Sequence, residues 1–177
     1  MSGHNKWAQI KRQKGAEDAK KSKIFGKYGS LIANEVKKQK GDVNAASVRA
    51  LIEKAKKENM PKDTIVRALK KGQSSDMEEA EELVYEAYGP GGCAMIIVAF
   101  SSNRNKAAQE VKHVLSKNNI TLASAGSAAW AFTRNPDGEY VPNSTMDLND
   151  EDLQALSKVV DDLEANEEVQ DVYTNVE

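Results

Sequence analysis

The residues with the clearest chemical potential in this sequence are cations. Lys6, Lys11, Arg12, Lys14, Lys20, Lys21, Lys23 and Lys27 crowd the first 27 residues, MSGHNKWAQIKRQKGAEDAKKSKIFGK, against two acids, Glu17 and Asp18. Burying an unpaired ammonium costs roughly several kcal/mol, so these side chains must face water or a polyanion. At helical spacing Lys11, Lys14 and Lys21 fall near one face, and Lys20, Lys23 and Lys27 follow at three- and four-residue steps. Such a stripe can track a phosphate backbone. Trp7 has two readings: an aromatic that stacks on a base, or an anchor holding the first segment to the core of a helical bundle.

The other chemistry-bearing residues lack partners. His4 and His113 have no second ligand at a spacing such as HExxH. Cys93 is the single cysteine, which excludes a CxxC site or a disulfide within one chain. Gly89, Pro90, Gly91 and Gly92 form a glycine-rich loop, but without the GK[ST] that completes a P-loop and with a strand following where a helix is needed. A tight hairpin explains the loop better, and it remains a second candidate surface. Acids from Asp147 to Glu168 cluster around a late helix without the regular spacing of a calcium loop, and no serine sits in a GxSxG elbow. The expectation is a protein with no catalytic residues, metal site, cofactor or small-molecule substrate.

Charge is distributed unevenly. The 177 residues carry 25 Lys and Arg against 27 Asp and Glu. Residues 1–72 hold 19 bases and 7 acids, a net +12, and residues 73–177 hold the other 6 and 20, a net −14. That asymmetry suggests a nucleic-acid-facing part joined to a part of different duty. The longest apolar run, CAMIIVAF from Cys93 to Phe100, is far short of the ~20 residues of a membrane span. Lysines from position 6 onward do not fit a signal peptide. A cytoplasmic protein with no membrane partner is expected.

Periodicity supplies the elements that must position these residues. Ile24, Phe25, Tyr28, Leu31, Ile32 and Val36 mark a helix over 16–40, with Gly26 and Gly29 as points where a neighbouring helix could approach closely and Gly41 as its C-cap. Asn44 reads as the N-cap of a second helix lined by Val48, Leu51, Ile52 and Ala55. After Pro61, Ile65, Val66 and Leu69 line a third, closed by Gly72. Beyond residue 82 the period changes. LVYEAYG and CAMIIVAF read as strands, the second apolar on both faces as in a covered central strand. Asn103 caps a helix running to Asn118-Asn119, 120–122 and 127–133 look extended, Asp137-Gly138 is a hairpin turn, a last helix begins near Asn149, and VQDVYTNV is a closing strand. The fold class is α+β: a basic helical domain (1–73), a polar linker (74–82) and an acidic α+β sandwich (83–177), a mainly antiparallel sheet with helices on one face.

The segments GHNKWAQIKRQKGAEDAKKSKIFGK, NMPKDTIVRALKKG and YEAYGPGG, followed by SSNRNKAAQEVKHVLSKNN, GSAAWAF and VQDVYTNV, together resemble the YebC/PmpR family, whose mitochondrial relatives include the translational activator of cytochrome oxidase subunit one. The resemblance spans nearly the whole chain. It implies an N-terminal helical domain followed by two α+β domains, one inserted in the other. This sequence departs there: only TRNPDGEY separates Phe132 from Val141, so a hairpin in place of the third domain is expected. The family resemblance further implies a DNA-binding transcriptional regulator, or alternatively a ribosome-associated translation factor that contacts ribosomal RNA and relieves stalling, for example on proline-rich nascent chains. A protein-interaction adaptor is a third reading. Carried over by position, the functional surface would include Lys6, Trp7, Lys11, Lys14, Lys20, Lys23 and Lys27.

Overall fold

The computed structural model describes Trp7, Ile10 and residues 17–177, of which residues 17–20 are described through their backbone alone. The chain is α+β. It divides into two compact units: residues 15–80 form one, and Trp7 and Ile10 belong with residues 81–177 in the other. The division differs from the expected 1–73, 74–82 and 83–177 at both ends. Trp7 packs in the second unit, and Glu81 and Glu82 already lie in a strand.

The helical unit holds α1 (Glu17–Lys38), α2 (Ala46–Lys57) and α3 (Lys62–Gln73). Ile32, Val36, Val48, Ala55, Met60, Ile65 and Ala68 are its buried core, the residues that recur on one face of each helix. The close approach comes from Gly72, not from the glycines expected to provide it. A Cβ on Gly72 would lie 2.4 Å from the Ala33 carbonyl oxygen and 2.6 Å from Val36 Cβ, whereas one on Gly26 would meet nothing within 4 Å. Gly29 is only in ordinary contact distance of Met60. Contacts run in the same sense along both helices, Gly29 by Met60 and Val36 by Gly72, so α1 and α3 lie parallel. The N-cap of α2 is Ala45, not Asn44. Asn44 instead donates its backbone N–H to Asp42 Oδ1. Asn34, buried in α1, holds both backbone groups of Ala80: Nδ2 donates to the carbonyl at 2.9 Å and Oδ1 accepts from the N–H at 2.6 Å. The polar segment after α3 is therefore tied at its far end to the helices.

The second unit is a four-stranded sheet in the order β3-β1-β2-β6, where β1 is Glu81–Tyr88, β2 Ala94–Ser101, β3 Leu122–Ala123 and β6 Val169–Thr174. Its pairings are antiparallel. On one face Met95 and Ile97 pack with residues of α4 (Arg104–Lys117) and α5 (Asp150–Glu164), including Val111, Leu115, Leu156 and Val160. On the other, Ala94, Ile96 and Val98 meet Ala128, Ala131 and Phe132. Strand β2 is thus covered on both sides, as its unbroken apolar run predicted. Asn103 and Asn149 cap α4 and α5 by accepting the N–H of Lys106 and Asp152. Strands β4 (Phe132–Arg134) and β5 (Tyr140–Pro142) form a separate hairpin around the Asp137-Gly138 turn. Residues 127–131, expected to be extended, instead include a 3-10 turn at Ala129–Ala131.

A buried carboxylate fixes that turn. Glu86, in β1, accepts from the backbone N–H groups of Gly126, Ala128 (3.1 Å) and Ala129 (2.5 Å). Beside it the Tyr88 hydroxyl donates to the Ser127 carbonyl and accepts from Trp130 Nε1 at 3.0 Å.

Two substitutions test this packing. Gly72→Ala should lower stability by about 1–3 kcal/mol through overpacking, against the roughly 1 kcal/mol that alanine gains in a helix, because a backbone oxygen cannot give way. Glu86→Ala should cost at least about 1–3 kcal/mol by stranding buried amides. Thermal melts check both, and a Gly72→Ala protein as stable as the parent would contradict the close approach.

Candidate nucleic-acid interface

Cations dominate the helical unit. Residues 15–80 carry 13 lysines and 2 arginines against 10 acids. Lys38, Lys40, Arg49, Lys57, Lys62, Lys70 and Lys71 are exposed, and none forms a salt bridge among the described residues. Lys56 pairs with Glu53 at 3.2 Å, Arg67 donates to Thr64 Oγ1, and Lys37 donates to the Ser74 carbonyl at 3.2 Å. The Glu35 carboxyl is held below its ordinary range by a hydrogen bond from Ser47, with help from Gln39 and Lys38 against the opposing effect of burial.

The residues singled out in the sequence fare differently. Lys6, Lys11, Arg12 and Lys14 lie outside the described residues. Lys20 is placed in α1 by its backbone, Lys21 is exposed, and Lys23 and Lys27 are half-buried on α1. Trp7 is 8% exposed and packs with Ala87, Cys93, Met95 and other residues of the α+β core. So enclosed a ring fits the anchoring reading better than the stacking one. Its anchoring role stands with a different core from the helical one expected.

Gly89, Pro90, Gly91 and Gly92 form the β1–β2 hairpin loop, with a 3-10 turn at Pro90–Gly92. The Gly89 N–H donates to the Cys93 carbonyl and the Gly92 N–H to Gly89, and proline has none, so the loop leaves at most one amide for an anion. Gly91, at φ 68°, is required where it stands: a Cβ would meet Leu148 at 2.4 Å. The loop packs closely against Leu148 and Asp152 at the start of α5. Cys93 beside it is buried, its thiol pushed up to about 11 by burial. His113 is exposed and lines a shallow hollow with Lys106, Gln109, Glu110 and Asn166. Among the described residues no group of three or more His, Cys, Asp or Glu could hold a metal ion, and no helix is long and apolar enough to cross a membrane.

The cations of α2 and α3 were not singled out by the sequence reading, although the charge count contained them. They are spread among acids in the chain, and only folding shows which of them lack a partner.

Family comparison places this arrangement. Residues 5–75 match the TACO1/YebC protein N-terminal domain, and residues 80–136 and 135–176 match the TACO1/YebC second and third domain. The chain belongs to the TACO1/YebC family. A "Probable transcriptional regulatory protein" of Fervidobacterium nodosum is 44% identical over 171 residues, covering 96% of this chain and 68% of the relative. A protein with the same description from Hydrogenobaculum sp. is 43% identical, covering 99% of this chain and 71% of the relative. The crystal structure of a conserved hypothetical protein from Aquifex aeolicus superposes with a TM-score of 0.74 at 26% identity, over 90% of this chain and 91% of that one. This family member thus spans about two thirds of the length of its curated relatives. The two matched pieces of its α+β part meet at 135–136, in the turn of the β4–β5 hairpin.

If Trp7 anchors the α+β core, Trp7→Ala should lower the melting temperature, at a cost of about 3–5 kcal/mol. Under conditions where the variant is folded, nucleic-acid affinity should be unchanged. Lost affinity with an unchanged melting curve would favour the stacking role instead.

Proposed function

We propose that this protein is a nucleic-acid-binding regulator of gene expression that grips phosphates through its basic N-terminal stretch and its helical unit. The observation that carries the reading is that Lys38, Lys40, Arg49, Lys57, Lys62, Lys70 and Lys71 of the helical unit are exposed and form no salt bridge among the described residues. The relatives named as probable transcriptional regulatory proteins support a regulator, and DNA is the target their names suggest.

Residue type favours a second target alongside. Base reading in a DNA groove relies on forked donors, Arg to guanine and Asn or Gln to adenine. Lysine is a point charge suited to phosphate neutralisation. The helical unit has 13 lysines and only two arginines, and Arg67 is engaged with Thr64. Recognition by shape and phosphate suits folded RNA, so ribosomal RNA, in a translation factor that associates with the ribosome, is the alternative. The exposed indole of Trp130, 66% accessible on the acidic unit, leaves a protein-docking role for that unit compatible with either target.

Two experiments test the reading. In lysate fractionation, co-sedimentation with ribosomes that survives DNase but not ribosome disruption would favour the translation role and exclude the transcriptional one. In binding titrations, changing Lys11, Arg12 and Lys14 to alanine should flatten log K against log salt by about 0.9 per lost contact on duplex DNA, or about 0.7 on a single strand. Unchanged affinity and slope would remove the N-terminal stretch from the interface.

A further inference from the structure

Three helices of this chain end in the same way, and one of them ends on the wrong residue for it. In a Schellman cap the residue after the helix adopts a left-handed conformation, and the backbone closes with a 6→1 and a 5→2 hydrogen bond. At the end of α2, Met60 N–H donates to the Ala55 carbonyl and Asn59 N–H to Lys56, with Asn59 at φ 62°. At the end of α4, Ile120 N–H donates to Leu115 and Asn119 N–H to Ser116, with Asn119 at φ 58°. At the end of α1, Gly41 N–H donates to Val36 and Lys40 N–H to Lys37, with Lys40 at φ 56°. Asparagine and glycine tolerate this conformation, and longer side chains are disfavoured there. Gly41 comes one residue too late to serve, so a lysine is held at a position that works against it.

That lysine is not isolated. Because α1 and α3 are parallel, their C-terminal ends coincide. Gln73 Nε2 donates to the Gly41 carbonyl at 3.1 Å, and Lys37 Nζ to the Ser74 carbonyl at 3.2 Å. Lys70 and Lys71 are a few residues back on α3, within about 5 Å along its axis at 1.5 Å per residue. Lys38, Lys40, Lys70 and Lys71 are all exposed at this end. Of the acids nearby, Glu35 accepts from Gln39 and Asp42 from the Asn44 N–H, and neither these nor Asp76 forms a salt bridge with the four lysines among the described residues. Helix C-termini attract cations, which accounts for Lys37 at the Ser74 carbonyl. The same attraction covers Lys38, Lys70 and Lys71, in the last turns of their helices, but not Lys40, which lies past the last turn in a backbone conformation that works against it.

We propose that this end of the helical unit is a phosphate-binding site for a nucleic-acid backbone, separate from the N-terminal stretch, with Lys40 held in its strained cap to present an ammonium between α1 and α3. The proposal rests on the nucleic-acid reading above and names a second place where backbone phosphates sit.

The test uses the full chain with two probes, a short DNA duplex and an RNA stem-loop, titrated over a range of salt. Lys40→Gln with Lys71→Gln should lower affinity and flatten the salt dependence by about 0.9 per lost contact on the duplex. Loss on either probe supports the site, and the probe that loses more identifies the source of the phosphates. Lys112→Gln with Lys117→Gln, an equal charge change on exposed lysines of α4 in the other unit, should leave the slope nearly unchanged. Lys40→Gly should raise the melting temperature and lower affinity together, a pairing that a purely structural lysine would not give. Equal effects from both double variants would overturn the site in favour of a diffuse field. Wild-type binding unchanged in Lys40→Gln with Lys71→Gln, or in a stabilised Lys40→Gly, would overturn it while leaving the parent reading intact. If the wild type binds neither probe, both readings fall.

Discussion

Strand β2 must be dry on both faces, and most of the α+β unit follows from that. AMIIVAFS is apolar at every position but its last, and seven of its eight residues are buried. One face is served by α4 and α5, which bring regular apolar stripes. On the other, no α-helix packs among the described residues. That face is closed by the short run from Ala128 to Phe132 and by the hairpin that follows, a thinner cover that contributes fewer large side chains. Its hold comes partly from polar anchoring. The Glu86 carboxylate gathers the amides of Gly126, Ala128 and Ala129, and Asn143 Nδ2 donates to the Trp130 carbonyl. A buried carboxylate is costly unless its oxygens are satisfied, and here the backbone of the covering turn satisfies them. Cover and anchor therefore depend on each other.

The helical unit answers a different constraint. Its core is small, built largely from Val, Ile and Ala, and its surface is loaded with like charge. Packing has to offset repulsion. Gly72 lets α3 seat against α1 with backbone nearly touching side chain, so the apolar area available is used closely. A cationic surface on so small a core carries a standing cost in self-repulsion. A polyanion would relieve that cost on binding, which ties the stability of this unit to its proposed ligand.

Much of this was legible in the sequence because it depended on period and on local chemistry. The three helices, the β1–β2 hairpin, the central position of β2, the cap at Asn103 and the helix start near Asn149 all follow from patterns within a dozen residues. What was not legible depended on contacts remote in the chain. Trp7 has the composition around it of a helical domain, yet it is buried with Ala87 and Cys93, some eighty residues on. Gly72 sits where a terminating glycine is expected, yet it is inside α3 and needed for contact with Ala33 and Val36. Gly41 drew the cap assignment because glycine is the usual left-handed residue. The hydrogen bonds put Lys40 there instead. Among the site residues, the charge count found the basic half, but partners at a distance decided which cations remain unpaired.

The short hairpin bears on what this chain can share with longer relatives. The match to the family's second and third domain passes from one piece to the next at 135–136, between Arg134 and the Asp137-Gly138 turn. Arg134 donates Nη2 to Glu82 at 2.6 Å and Nε to the Gly138 carbonyl, and its guanidinium lies over the Tyr140 ring. Tyr140 in turn packs on Phe132 and Tyr173. The turn is therefore tied to β1 and to the ring cluster beside β6 by residues on both sides of the junction. Strand β2 is already buried with this cover alone, so additional chain at the junction is not needed to keep the sheet dry. The hairpin thus holds β1 and the ring cluster together through side chains on both sides of its own turn.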